Sequence, residues 1–157
     1  MSYSPPPAGF ALQACASGPR WRWLERLVVM AAGALLVALL ATAARLTPSP
    51  EGLGTHQQLG LPRCTVVEWF GIRCPSCGMT TSWAHMTRGH IVAAMQTNAG
   101  GALLALAAAV CGPWLVGCGL FGRWLVGPPR EGLTLALGLT IIVVTLTQWT
   151  LRVALGW

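Results

Sequence analysis

The chain has 157 residues, of which 9% are charged and 54% hydrophobic, with a mean hydropathy of +0.60. A soluble globular chain carries roughly 25% charged residues, so ten basic and four acidic side chains cannot cover a water-facing surface, and the chain reads as a membrane protein. The acidic groups are four glutamates with no aspartate. That disfavours paired-carboxylate hydrolysis, an EF-hand calcium loop and a magnesium phosphoryl-transfer site. The net charge of +6 comes from arginines scattered along the chain, mostly beside apolar runs. A nucleic-acid binder gathers its charge on one face, whereas these positions suit anchoring at lipid headgroups. The bilayer is the expected partner, and no nucleic acid is.

Residues 1–20 are rich in Pro, Ser, Ala and Gly, with Pro5, Pro6 and Pro7 in a row, and are expected to form a disordered tail. Cys15 resembles a lipidation site only faintly, since no apolar stretch precedes it, and reads as an ordinary thiol. A first transmembrane helix is predicted over 21–46. Its uncharged core from Leu27 to Ala44 is flanked by Trp21, Trp23, Arg22 and Arg26 before and Arg45 after. The apolar run is too long for a signal-peptide core, which favours a retained helix over a cleaved one.

The connector over 47–97 is unusually long, and loops of that length are functional or carry structure of their own. It opens with Pro48, Pro50, Gly52 and Gly54. From about 78 to 96 an amphipathic helix is predicted, with Met79, Trp83 and Met86 on one face, lying on the bilayer or packed over the bundle. Gly89 is expected to interrupt it before Ile91. A second transmembrane helix is predicted over 98–122. Its glycines allow close approach to a neighbour, through self-association or a membrane protein partner, and Pro113 is expected to kink it. A short connector over 123–132 holds Pro128 and Pro129. A third transmembrane helix follows over 133–155, in which Gln148 is expected to hydrogen-bond a neighbouring helix. Arginines divide five against five between the two sides. Weighting those beside span ends puts the N-terminus inside and the long connector outside.

The chemistry concentrates in the long connector. Cys74 and Cys77 are separated by Pro75 and Ser76 and followed by Gly78, and Cys64 lies upstream. Two thiols at this spacing converge on one point, as in half of a tetrahedral zinc site, with Cys64 as a third ligand. His85 falls eight residues beyond Cys77, roughly 12 Å along a helix, too far to share a metal; His90 is farther. His56 is the one remaining protein candidate for a fourth ligand. The same thiols also fit a static disulfide or reversible disulfide exchange, with Cys74 and Cys77 active and Cys64 resolving. For exchange, Cys77 near a helix start and beside Arg73 is expected to have a lowered pKa. Cys111 and Cys118 lie in the second span and read as packing residues. His85 and His90 read as interfacial polar residues.

The string Phe70-Gly71-Ile72-Arg73-Cys74-Pro75-Ser76-Cys77-Gly78-Met79-Thr80-Thr81, with Cys64 before it and Gly89, Ala93, Ala94 and Asn98 after it, resembles the domain of unknown function 2752 family over roughly 60–122. The resemblance implies a small bacterial membrane protein with a Cys-bearing loop ahead of a spanning helix, and no activity. Family members carry Arg where this chain has Thr81, so no role of that arginine transfers. The expected protein is therefore an all-α integral membrane protein of the bacterial inner membrane with three spans. Its expected role is that of a non-enzymatic subunit or scaffold, its Cys turn held by zinc or a disulfide. A membrane thiol–disulfide oxidoreductase is the alternative.

Overall fold

The computed structural model describes residues 21–156, and every regular element among them is helical. Helix α1 spans Trp23–Arg45. A 3₁₀ turn follows at Thr55–Leu59 and then two short helices, α2 at Thr65–Phe70 and α3 at Met79–Met86. Helix α4 covers Ile91–Phe121 and α5 covers Glu131–Leu155. Three of these, α1, α4 and α5, are long and apolar enough to cross a membrane, which makes the chain a multi-pass membrane protein. At 1.5 Å per residue the 23 residues of α1 reach about 34 Å, enough for a hydrocarbon core of about 30 Å.

Glycine decides how α1 and α4 meet. A Cβ on Gly33 would lie 2.7 Å from both the Gly112 carbonyl oxygen and the Val116 nitrogen. One on Gly119 would lie 2.7 Å from the Met30 Cβ and 3.0 Å from the Arg26 carbonyl. The backbones therefore touch, as small residues permit in lipid, where no hydrophobic force drives helices together. Farther along the pair, Ala43, Trp83, Ala105 and Ala108 form a buried cluster, covered by Leu36, Leu40, Met79 and Met86. Arg26 closes the far end, donating from Nε to Gly119 O and from Nη2 to Leu120 O. These are two of the last carbonyls of α4, which no helical N–H can reach.

The stretch over 78–96 forms two helices, α3 and the first turns of α4, divided at Thr87–His90 where Gly89, the expected interruption, takes φ +76°. Helix α3 packs against the bundle, one of the two expected placements: Thr81, Ser82, Trp83 and Ala84 are all buried. The backbone break inside α4 falls at Asn98 (φ −162°, ψ 104°), while the dihedrals stay helical through Pro113. A break needs partners for the backbone groups it frees, and those partners surround Asn98, as described below. Four glycines of α4 meet neighbours within the chain, Gly112 and Gly119 against α1, Gly101 against Met79 and Gly100 against Thr145 of α5.

Candidate metal centre

The Cys-Pro-Ser-Cys-Gly sequence folds as a tight turn. The Cys77 N–H donates to Cys74 O at 3.0 Å and the Met79 N–H to Ser76 O at 3.1 Å. Gly78 is required twice over. Its φ is +84°, and a Cβ there would meet Gly52 O at 2.9 Å and the Thr97 methyl at 3.1 Å. Cys64 reaches the turn from the start of α2, just ahead of Thr65.

The three Sγ atoms lie within 4.8 Å of one another. Cys64 and Cys74 are 3.6 Å apart, and Cys74 and Cys77 are 3.3 Å apart. A disulfide requires about 2.05 Å, so these are free thiols. Zinc bound to thiolates at about 2.3 Å would separate tetrahedrally arranged sulfurs by about 3.8 Å, close to what the chain presents. Cys64, Cys74 and Cys77 could therefore hold a metal ion.

The thiols are not equivalent. The Cys64 thiol is lowered from its ordinary range, first by the backbone amide of Val67 at the opening of α2 and then by the Cys74 thiol. The Cys77 thiol is instead pushed up to about 12, chiefly by burial and next by Cys74. This reverses the expectation of an activated thiolate at Cys77. Desolvation at the turn outweighs whatever Arg73 and the start of α3 contribute.

All three cysteines line one wall of an open cleft of about 1000 Å³, whose lining also includes His56, Glu51, Arg63 and Thr81. His56 is not among the clustered donors; its Nε2 sits 3.2 Å from Pro62 O. The 3₁₀ turn, which also contributes to the lining, is held in place by hydrogen bonds. Thr55 and the buried Thr81 share a hydroxyl–hydroxyl bond of 2.8 Å, and Thr55 Oγ1 accepts from the Ser49 N–H. His85 and His90 lie beside each other, with ring centroids 5.9 Å apart, at the far end of α3. Cys111 and Cys118 stay within α4, outside the thiol cluster. Cys15 lies outside the described residues.

What sequence reasoning missed is how the turn is tied to the spanning helices. Asn98 is buried, and its Nδ2 donates to Pro75 O at 3.1 Å and to Cys77 O at 3.2 Å. Its Oδ1 accepts from the Gly101 N–H at 2.7 Å, which makes it the N-cap of the rest of α4. Carbonyls beside the break find side-chain donors. Gln148 Nε2 serves Met95 and the Arg152 guanidinium serves Gln96 and Thr97, while the Ser82 hydroxyl lies within bonding distance of both Ala94 O and Asn98 O. Gln148 also accepts the Ala99 N–H at 2.7 Å. Gln148 thus bonds the neighbouring helix as expected, whereas Arg152 caps a broken helix rather than only anchoring at headgroups. Trp149 of α5 donates from Nε1 to Arg73 O at 2.6 Å, immediately before the Cys turn. A polar pair such as Gln148 and Arg152, four apart near the end of an apolar helix, was the available signal.

Residues 64–112, about a third of the chain, match the model of the family described as Protein of unknown function (DUF2752). The matched stretch begins at Cys64, takes in the turn and α3, and ends in α4 beyond Asn98. It therefore contains the thiol cluster and the residue that tethers it, while α1 and α5 lie outside it. No curated protein and no solved structure matches the chain.

Proposed function

We propose that this is a non-enzymatic component of the bacterial inner membrane whose extramembrane loop is organised by a zinc ion on Cys64, Cys74 and Cys77. The observation that carries the reading is the convergence of three free thiols at near-tetrahedral spacing, on a turn tied into two spanning helices by Asn98 and Trp149. A bound metal would join the start of α2 to the turn before α3. Both segments are too short to hold a position alone, since an isolated helix below about 12 residues is marginal in water.

Elemental mass spectrometry on protein purified anaerobically in mild detergent tests this. About one zinc per chain, lost in Cys74→Ser, is the expected result, as four-coordinate thiolate sites bind one ion. Protein that folds and purifies without metal, and takes up none on zinc addition, would refute it.

A further inference from the structure

A closed structural zinc site uses four protein ligands, whereas a site with three keeps one position for an external donor. Among the described residues the donor cluster stops at three. Cys64, Cys74 and Cys77 all line the same open cleft, so an ion resting on them borders its interior. His56, the candidate the sequence offers for closing the site, lines the cleft with its Nε2 3.2 Å from Pro62 O. The 3₁₀ turn that carries it is pinned by the Thr55–Thr81 bond and by Gln58, which exchanges two bonds with the Thr47 backbone. Turning His56 toward the thiols would give up its contact with Pro62 O.

We infer that the fourth coordination position faces the cleft and accepts an exogenous thiolate. The inference rests on the metal reading above and names the ligand class of that same site. Three thiolates already make the ion a soft centre, which favours a further sulfur donor over oxygen. The entering thiol binds as its thiolate, displaces solvent from the metal and gives its proton to bulk water; no oxidation state changes. The cleft, of about 1000 Å³, admits either a small thiol or a cysteine on a short peptide.

The test uses the full chain in detergent under anaerobic conditions, loaded with cobalt(II) as a spectroscopic stand-in for zinc. Adding 2-mercaptoethanol should raise the thiolate-to-cobalt charge-transfer absorbance by about one-third, as four sulfurs replace three. His56→Ala and Cys15→Ser should each keep both the starting spectrum and this response. A short cysteine peptide run alongside separates the sources: saturation at lower concentration than the small thiol assigns the cleft to a polypeptide, and equal saturation assigns it to a small molecule. A cobalt spectrum indifferent to added thiol, or one altered by His56→Ala or Cys15→Ser, would show the position filled from within the chain and overturn the inference alone. Absence of any thiolate-to-cobalt absorbance would instead sink the metal reading beneath it.

Discussion

Asn98→Ala is the most informative single change. The residue is extended (φ −162°, ψ 104°), a conformation alanine adopts freely, so the substitution removes side-chain bonds rather than a backbone preference. It deprives the Gly101 N–H and the Pro75 and Cys77 carbonyls of their partner. Gly101 is buried and forfeits its bond outright; the two turn carbonyls are partly exposed and recover some hydration. Losing the N-cap leaves the buried Gly101 N–H unsatisfied, and such a group costs about 1–3 kcal/mol, which is the expected destabilisation. SDS titration of the detergent-solubilised protein, followed by far-UV circular dichroism, measures it. The freed turn should also bind zinc about tenfold more weakly, equivalent to one tether bond of about 1.4 kcal/mol, by competition with a chelating dye. Asn98→Ser separates the two roles, because its shorter side chain can cap Gly101 but cannot donate to both turn carbonyls. Serine should restore much of the stability and little of the zinc affinity. Alanine within about 0.5 kcal/mol of wild type, with unchanged zinc binding, would refute the assignment of Asn98 as the link between turn and helix.

Gly33→Val forces a side chain into the α4 backbone at 2.7 Å and should cost about 1–3 kcal/mol in the same titration, whereas Gly138→Ala, which meets nothing within 4 Å, should be neutral or slightly stabilising. Equal effects would contradict the close α1–α4 contact. Gln148→Leu strands the Ala99 N–H and the Met95 carbonyl, and a double-mutant cycle with Asn98→Ala should show a coupling of about 0.5 kcal/mol or more, because both side chains serve one break. Strict additivity would separate them. In metal-free protein near neutral pH, iodoacetamide should modify Cys64 well before Cys77, since one thiol is lowered and the other raised; peptide mass spectrometry reads the order, and Cys77 labelling first would be the contrary result. Gly78→Ala combines a strained φ with a 2.9 Å approach to Gly52 O, and should lower zinc affinity as well as stability.

Composition and apolar run length by themselves determined that this is an all-helical membrane protein with three spans, because a bilayer imposes a length and a hydropathy that no other setting demands. The Cys-Pro-Ser-Cys-Gly spacing likewise marked the turn and the thiols, since local chain geometry is enough to bring Cys74 and Cys77 together. Tertiary structure decided the rest. Whether Cys64 joins the turn depends on where α2 begins, ten residues away in sequence, and Cys77 is raised rather than lowered because burial is a property of the packed loop. The break in α4 falls at Asn98, which no local signal marks. Broken backbone is stable only where side chains meet the groups it frees, and those side chains come from α3 and α5, distant in sequence and adjacent only after folding.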